Sequence, residues 1–254
     1  MNASLSNLPQ QILASCVQFV QRLIAPACLL CSGPSAGALL CAPCDADLPR
    51  LTGAQGRLCD TCALPITDGN RCGACLTHPP AYDHVCAPYT YAFPADALVQ
   101  ALKYRHLLAI APLFGSAIAS SLGERPDLII PMPLADARLR ERGFNQAQEI
   151  ARHVANITGV TLMPRACRKV RDTTPQAALP WKEREKNVRK AFVCDEDFTG
   201  LHVAVVDDVM TTGATLNELA RNLKRAGATK VTGLIVARTL PDAFRNRLVQ
   251  VGHV

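Results

Sequence analysis

From residue 88 onward, the chain alternates between short apolar runs and stretches in which apolar residues recur at helical spacing. The runs at 128–133 (LIIPMP), 202–208 (HVAVVDD) and 230–238 (KVTGLIVAR) are typical of buried strands. The stretches at 95–104 and 107–121 predict helices. Because strands and helices follow one another in turn, the pattern predicts an α/β domain with a parallel sheet covered by helices.

Two longer amphipathic stretches extend this pattern. The first lies at 138–159 and predicts a helix that stops at Gly159; its apolar face consists of Ala147, Ile150, Ala151, Val154 and Ile157. The second predicts a helix that follows the strand at 202–208 and ends at Gly227; its inward face consists of Leu216, Leu219, Ala220 and Leu223. Short strands at 160–164 and 191–194 are expected to flank a long basic loop.

The first 25 residues have apolar side chains at helical spacing and predict an amphipathic helix docked on the body of the protein. Attachment to a membrane surface is the alternative, although the polar face has almost no Lys or Arg to meet anionic lipid. The stretch lacks a basic amino-terminal region, and four glutamines interrupt its apolar residues. We therefore expect no membrane span and a cytoplasmic location.

Cysteine content and charge separate the first third of the chain from the rest. Ten of the twelve cysteines lie before residue 87. Residues 1–87 hold four Arg and five Asp, whereas residues 88–254 hold 23 basic and 16 acidic residues. The basic excess of the second part fits a phosphate-bearing ligand or nucleic acid, and a mildly basic soluble protein is the alternative reading.

Eight of the cysteines form four CxxC pairs, and the pattern of two pairs repeats after 31 residues. These cysteines are Cys28, Cys31, Cys41, Cys44, Cys59, Cys62, Cys72 and Cys75. Two CxxC turns can close a tetrahedral Zn²⁺ site with Zn–S bonds of about 2.3 Å. Because four thiolates leave no open coordination position, the expected role of the zinc is structural. We expect one or two sites.

Other readings of the cysteines are disulfides and a redox CxxC motif, and both fit less well with the absence of a recognisable secretion signal and of thioredoxin-like flanking helices. Pairing within each repeat is the simplest zinc connectivity, and an interleaved or degenerate arrangement stays open. The predicted divisions of the chain are an amino-terminal helix at 1–25, a double zinc ribbon at 26–80, an α/β domain at 85–240 and a carboxyl-terminal tail at 241–254.

The stretch at 203–215 (VAVVDDVMTTGAT) carries the clearest chemistry. An apolar run leads into Asp207 and Asp208, and then into a Thr/Gly loop ahead of an amphipathic helix. Backbone N–H groups of such a loop converge on one tetrahedral anion, and the helix N-terminus adds its dipole. The two acids would repel that anion unless they accept hydrogen bonds from neighbouring hydroxyls. A sugar with a 5-phosphate and vicinal hydroxyls satisfies both halves of the stretch.

This stretch resembles the phosphoribosyl pyrophosphate signature of type I phosphoribosyltransferases. Together with the cysteine pattern and further segments, it makes the chain similar to the competence protein F (ComF) family and its GntX-like relatives over roughly residues 28–240. The further segments are LKY (102–104), IIPMPL (129–134), RERGFNQ (140–146), TTPQ (173–176) and REKNVRKAF (184–192). The resemblance implies a type I phosphoribosyltransferase-like parallel sheet flanked by helices, preceded by a small Cys-rich double zinc-ribbon domain.

The resemblance also implies roles for individual residues. Asp207 and Asp208 would hold the ribose hydroxyls. The 5-phosphate would be bound by Thr211, Thr212, Gly213 and Thr215. The backbone of Pro131, Met132 and Pro133 would face pyrophosphate and its Mg²⁺, with Arg142, Asn145 and Gln146 nearby. The flexible catalytic loop would contain Arg168, Lys169 and Arg171, together with Thr173 and Gln176.

Two functional hypotheses follow. In the first, the protein is a Mg²⁺-dependent phosphoribosyltransferase acting to or from a nucleobase-like acceptor, in DNA uptake and natural transformation or in nucleotide salvage. In the second, it binds phosphoribosyl pyrophosphate as a sensor, or handles single-stranded DNA, without catalysis. Because the Cys-rich part is acidic once its thiolates are counted, it is an unlikely DNA surface and would instead dock competence or DNA-processing proteins. The acceptor is not indicated by any motif.

Overall fold

The computed structural model describes residues 27–52, 57–171, 188 and 190–241. The predicted amino-terminal helix at 1–25 lies outside the described residues, and so does nearly all of the predicted tail. The TTPQ segment with Thr173 and Gln176 also lies outside them. In the described part of the chain, no helix is both long enough and apolar enough to cross a bilayer.

The chain divides into two compact units, Met1–Leu48 and Pro49–Val254. This division falls inside the segment predicted as one double ribbon, so the second CxxC repeat belongs to the same unit as the α/β domain. The described part of the first unit contains a bridge between Ala27 and Pro34 and the short helix α1 (Ala42–Ala46). The predicted domain boundaries themselves stay predictions.

The second unit begins with the second CxxC repeat, which is built from short elements. Strands β1 (Arg57–Leu58) and β2 (Pro65–Ile66) pair in an antiparallel fashion, and helix α2 (Gly73–Thr77) follows. Strands β3 (His84–Cys86) and β4 (Tyr89–Thr90) then lead into the main sheet, where both pair with its strand at 230–238.

The main sheet is parallel and confirms the predicted fold class. Its core strands are β5 (Leu128–Pro131), β6 (Thr161–Leu162), β9 (His202–Met210) and β10 (Lys230–Arg238). The strand order is β3-β10-β9-β5-β6, with β4 also paired to β10. Residues 203–206 of β9 are fully buried on both faces, which explains why this strand is a continuous apolar run and not an alternating one.

Helices pack on this sheet as the apolar periodicity predicts. They are α3 (Ala95–Tyr104), α4 (Ala111–Ser120), α6 (Gln146–Thr158) and α7 (Ala214–Arg225), whereas the short helix α5 (Asp136–Arg142) has no buried residue. The inward face predicted for α7 is buried throughout. On α6 the predicted face is correct except at Ile157, whose side chain is 57% exposed in the last turn.

Two predicted helices are shorter than expected. The stretch at 107–121 starts as a 3₁₀ turn (Leu108–Ile110), and α4 begins only at Ala111 because Pro112 fits the first turn of a helix. The stretch at 138–159 is two helices, because Gly143 adopts a left-handed conformation with φ of 76° and ends α5. Asn145 then caps α6 by accepting a hydrogen bond from the N–H of Ala147.

The described part of the predicted basic loop contains regular structure. Strand β7 (Cys167–Lys169) pairs in an antiparallel fashion with β8 (Phe192–Cys194). The expectation that Arg168 and Lys169 lie in a flexible loop is therefore wrong for these two residues. Both have backbone hydrogen-bonded partners in β8, with Arg168 opposite Val193 and Lys169 opposite Phe192.

Candidate functional site

The candidate site lies where three parallel strands end together. In the sheet register, Pro131 of β5 is level with Val206 of β9, and Ile235 of β10 is level with Asp207. The backbone N–H of Met132 continues the ladder by donating to the carbonyl oxygen of Val206 at 2.8 Å. The carboxyl ends of parallel strands are where open α/β sheets bind ligands, so the predicted acids and the predicted pyrophosphate loop share one edge.

The Thr/Gly loop joins β9 to α7 and has the geometry of an anion cradle. Gly213 is the N-cap of α7 with φ of 81°, a left-handed conformation that favours glycine. A Cβ atom there would lie 2.6 Å from Met210 Cε and 2.9 Å from Tyr82 Oη, so the position also lacks space for a side chain. Thr212 Oγ1 accepts a hydrogen bond from the N–H of Ala214 at 3.1 Å, which fixes the turn.

The two acids differ in their surroundings. Asp207 is half-buried, and its Oδ1 accepts a hydrogen bond from the N–H of Asp208 at 2.9 Å. Asp208 is only 4% exposed. Its Oδ1 lies 2.8 Å from the ammonium nitrogen of Lys103, at the end of α3. Its Oδ2 is buried and has no hydrogen-bond partner among the described residues. A buried acceptor of this kind needs a donor, which a bound ligand can supply.

Burial raises the pKa of Asp207 to about 7, and the negative charge of Asp208 adds to this effect. For Lys103, burial alone would lower the pKa, but the charge of Asp208 and its hydrogen bond outweigh burial, so the pKa of Lys103 is raised. Lys103 is therefore positively charged at neutral pH. The site thus contains one buried ion pair and one carboxyl group poised to change its charge near neutrality.

Asp207 and the loop line a cleft of about 530 Å³. Of the predicted donor-binding residues, those lining this cleft are Asp207, Thr211, Gly213 and Thr215. Thr212 instead lines a second cavity on the other side of the loop. The remaining wall of the cleft is formed by α3 and the segment before it, through Tyr91, Gln100, Lys103 and Tyr104.

The predicted pyrophosphate residues are joined to this edge by side-chain contacts. The amide nitrogen of Asn145 donates to the carbonyl oxygen of Met132 at 3.1 Å and so fixes the turn at 131–133. Arg142 donates from Nη1 to Oε1 of Gln146 at 2.5 Å, and its guanidinium lies 5.5 Å from the ring centroid of Tyr104. The guanidinium of Arg142 is thus linked to the wall of the cleft through Tyr104.

The predicted catalytic residues are not gathered in the same way. Arg168 is paired with Asp195, with Nε 2.8 Å from Oδ2 and Nη2 3.3 Å from Oδ1. Lys169 lies over the ring of Phe192 at 5.9 Å from its centroid, and its charge lowers the pKa of Asp207 against the effect of burial. Arg171 is exposed at the edge of the described segment. Lys169 therefore acts electrostatically on Asp207.

The eight CxxC cysteines form two clusters, each with its four Sγ atoms within 4.8 Å of one another. Within the clusters, Sγ of Cys31 lies 3.7 Å from Sγ of Cys41, and Sγ of Cys62 lies 3.6 Å from Sγ of Cys72. A tetrahedron with Zn–S bonds of about 2.3 Å has edges of about 3.8 Å, so both clusters fit Zn²⁺ and neither is a disulfide. Pairing is within each repeat, as the simplest connectivity predicted.

Comparison with known proteins agrees with this geometry. The family model described as a double zinc ribbon domain matches residues 19–76. A DNA utilization protein, YhgH, from Salmonella typhimurium is 33% identical over 192 residues, which are 72% of this chain and 85% of that protein. Competence protein F from Haemophilus influenzae is 30% identical over 171 residues, which are 63% of this chain and 75% of that protein. The chain belongs to the ComF family.

Among solved structures, a purine phosphoribosyltransferase from Pyrococcus horikoshii covers 50% of this ComF-family chain and 70% of its own chain, at 23% identity and a TM-score of 0.33. A similarity this low carries no functional argument. The predicted recognition of the family is confirmed by the curated relatives, and the predicted double zinc ribbon by the family model and the two cysteine clusters.

The residues of this ComF-family site that were not predicted include Lys103, Tyr104 and Arg238. Lys103 and Tyr104 belong to the LKY segment that carried part of the resemblance, but a lysine near a helix end is normally solvated. Arg238 is the last residue of β10 and is only 2% exposed. The signal in the sequence that could have indicated Arg238 is its position as a charged residue at the end of a buried strand.

Proposed function

We propose that this protein binds phosphoribosyl pyrophosphate with Mg²⁺ and transfers the phosphoribosyl group to or from a nucleobase-like acceptor in the cytoplasm. One observation carries the proposal: Asp207 and a left-handed glycine turn at the end of β9 line one cleft, and the adjacent Asp208, paired with Lys103 of the cleft wall, has a buried Oδ2 with no partner among the described residues. A ligand that is anionic at one end and rich in hydroxyls at the other meets both features.

In this proposal, the loop binds the 5-phosphate. The N-terminus of α7 and the hydroxyls of Thr211 and Thr215 would supply donors, and the helix dipole favours the negative charge. Gly213 keeps the cradle open, because a side chain there would collide with Met210 and Tyr82. Asp207 and Asp208 accept hydrogen bonds from the ribose hydroxyls, and the ammonium group of Lys103 holds the carboxylate of Asp208 in place.

The reaction would break the bond between the anomeric carbon and pyrophosphate and form a bond from that carbon to a nitrogen of the acceptor, whose N–H proton is released to solvent. The electron pair of the broken bond leaves with pyrophosphate, and the ring passes through an oxocarbenium-like state whose positive charge the acid pair stabilises. The turn at 131–133, held by Asn145, ends β5 at the same sheet edge, and its backbone would face a hydrated Mg²⁺. When bound, Mg²⁺ neutralises the leaving pyrophosphate.

A planar acceptor is supported by the wall opposite the loop. The side chain of Tyr104 lines the cleft and is 69% exposed. The guanidinium of Arg142 lies over its ring, and a planar ring stacked on Tyr104 would extend this arrangement. Tyr91 and Gln100 line the same side and offer polar groups for the edges of the acceptor ring.

A pyrophosphate-release assay over a panel of nucleobases tests catalysis. Wild-type protein with phosphoribosyl pyrophosphate and Mg²⁺ is expected to release pyrophosphate with at least one base, and an Asp207→Asn, Asp208→Asn double variant is expected to release none. If the wild type binds the donor and no base releases pyrophosphate, the sensing role replaces the enzymatic one.

The names of the relatives favour a second candidate function. They are described as a DNA utilization protein and as competence protein F. We therefore propose that the reaction serves DNA uptake or nucleotide salvage. The alternative is that single-stranded DNA binds to the basic side chains at 168–171, and that competence or DNA-processing proteins bind to the zinc ribbons. A salt titration of oligonucleotide binding tests whether the segment at 168–171 binds DNA. Unchanged affinity after Arg168, Lys169 and Arg171 are neutralised would exclude DNA binding by this segment.

A further inference from the structure

The second cysteine cluster and the Thr/Gly loop are joined through one buried side chain, that of Arg238. Its Nε donates to the carbonyl oxygen of Cys62 at 3.0 Å. Its Nη1 donates to the carbonyl oxygens of Met210, at 2.9 Å, and of Thr211. Nη1 also lies 2.9 Å from the carbonyl oxygen of Thr239. One guanidinium therefore connects a zinc-binding CxxC turn to the first residues of the candidate phosphate loop.

The charge of Arg238 has to be balanced inside the protein. The residue is 2% exposed, and no carboxylate among the described residues forms an ion pair with it. An unpaired buried cation is costly, whereas hydrogen bonds to several carbonyl oxygens and a nearby negative charge offset that cost. With Zn²⁺ bound, a four-thiolate centre carries net negative charge. The filled second centre thus favours both the position and the charge of Arg238.

A second path runs beside the first. Tyr82 is buried, and its hydroxyl oxygen would lie 2.9 Å from a Cβ atom at Gly213, so the ring packs against the turn of the loop. The N–H of the preceding Ala81 donates to Oδ1 of Asn217 at 2.7 Å, and the N–H of Asn217 donates to the carbonyl oxygen of Gly213 at 2.8 Å. The segment that follows the second CxxC repeat therefore also holds the start of α7.

Both paths border one cavity of about 410 Å³, whose wall contains cysteines of the second cluster together with Tyr82, Thr212, Gly213 and Arg238. On that side, the loop is held by the contact of Tyr82 with the Gly213 turn and by the hydrogen bonds that cross the edge of the cavity. We propose that Arg238 is a positioning residue that makes the shape of the phosphate loop depend on zinc in the Cys59/Cys62/Cys72/Cys75 centre. Loss of that zinc loosens the loop and weakens donor binding.

This inference rests on the proposed function for the identity of the donor, and hydrogen exchange tests it without any ligand. We expect a Cys72→Ser, Cys75→Ser variant to lose one zinc per chain and to exchange the backbone amides of 209–216 faster by roughly tenfold or more. A Cys41→Ser, Cys44→Ser variant is the matched control. It should also lose one zinc, yet it leaves the contacts of Arg238 in place, so exchange at 209–216 should not change. Equal exchange in both variants would overturn the proposal.

Arg238→Lys tests the link without removing a cysteine. It keeps the positive charge but loses the guanidinium fork. We expect unchanged zinc content, faster exchange at 209–216, and weaker binding of phosphoribosyl pyrophosphate with Mg²⁺ by roughly tenfold. Arg125→Lys is the control, because Arg125 also donates to a backbone carbonyl, that of Gly159 at 2.9 Å, and its side chain is exposed. Wild-type exchange at 209–216 in Arg238→Lys would contradict the inference.

The two proposals fail in different ways. If the wild type does not bind the donor and zinc loss still accelerates exchange at 209–216, the proposed function is wrong and the coupling stands. If the wild type binds the donor and neither Arg238→Lys nor loss of the second zinc changes affinity or exchange, the coupling is wrong and the donor site stands.

Discussion

The ammonium nitrogen of Lys103 lies 2.8 Å from Oδ1 of Asp208, and both side chains are largely buried. The two residues come from elements far apart in sequence, the end of α3 and the end of β9. Without Lys103, the carboxylate of Asp208 would be buried with neither oxygen paired by a described residue. Removing one partner of a buried ion pair is strongly destabilising because the other charge is left uncompensated.

Lys103→Met is therefore expected to raise the dissociation constant for phosphoribosyl pyrophosphate by roughly tenfold or more, because Asp208 loses the partner that holds its carboxylate in place. Isothermal titration calorimetry with Mg²⁺ measures it. Lys224→Met is the matched control: Lys224 forms an ion pair of the same length, 2.8 Å, with Asp83, and it lies at the opposite end of α7 from the loop. An equal loss of affinity in the two variants would show that Lys103 has no specific role in the site.

Asp207 is expected to make the ligand-free protein less stable as the pH rises toward neutrality. Its pKa is about 7 in the folded protein against an ordinary value of 3.8, so the folded state binds the proton more tightly than the unfolded chain. The free energy of unfolding should then fall by roughly 1–2 kcal/mol between pH 5.5 and 7.5. Asp207→Asn should lack this fall and unfold at a higher temperature at pH 7.5. The same pH slope in both proteins, measured by thermal unfolding, would refute the assignment.

Most of the fold follows from apolar periodicity. Helix α3 and strand β10 have the bounds that the sequence predicts, because each is a single apolar pattern between clear breaks. The prediction was less accurate at 107–121 and 138–159, where Pro112 and Gly143 reset the helix although the periodicity continues past them. Local backbone geometry determines where these helices begin and end, and a pattern of apolar positions gives no information about that geometry.

The candidate site was predicted only where its residues are close in sequence. The acids and the Thr/Gly loop form one continuous stretch, and the structure brings four of those six residues to the cleft. The partners of the stretch come from elsewhere: Lys103 from α3, Tyr82 from the segment before β3 and Arg238 from the end of β10. Each of these residues contacts the stretch from a distant segment of the chain, and residue spacing in one sequence does not predict such contacts.

Tyr104 is expected to contribute to acceptor binding without affecting the donor half. A nucleoside 5′-monophosphate contains both the ribose 5-phosphate of the donor and a base that stands for the acceptor, whereas ribose 5-phosphate contains the donor part alone. Tyr104→Leu should weaken binding of at least one nucleoside monophosphate by roughly tenfold or more, since stacking on an aromatic ring contributes on the order of 1–3 kcal/mol.

Ribose 5-phosphate should bind equally well to wild type and to Tyr104→Leu, and Tyr104→Phe should restore monophosphate binding because the ring is retained. Calorimetry with both ligands makes the comparison. A parallel loss of ribose 5-phosphate affinity in Tyr104→Leu would show that the residue supports the site as a whole and is not a stacking platform.

The metal content is expected to be two Zn²⁺ per chain, because each cluster brings four thiols within 4.8 Å. Elemental analysis of the purified protein measures it. Serine at Cys41 and Cys44, or at Cys72 and Cys75, should lower the value to one in each case. A value that falls to zero with either pair of substitutions would mean that the two centres do not bind zinc independently.

The most direct test of the central claim is calorimetry of phosphoribosyl pyrophosphate with Mg²⁺, comparing the wild type with the Asp207→Asn, Asp208→Asn double variant. Asparagine keeps the size of each side chain and removes the acceptor charge. We expect the wild type to bind with a single site per chain and the double variant to bind at least roughly a hundredfold more weakly, because two charged hydrogen-bond acceptors are lost. Equal affinity in the two proteins would contradict the assignment of this cleft to the donor.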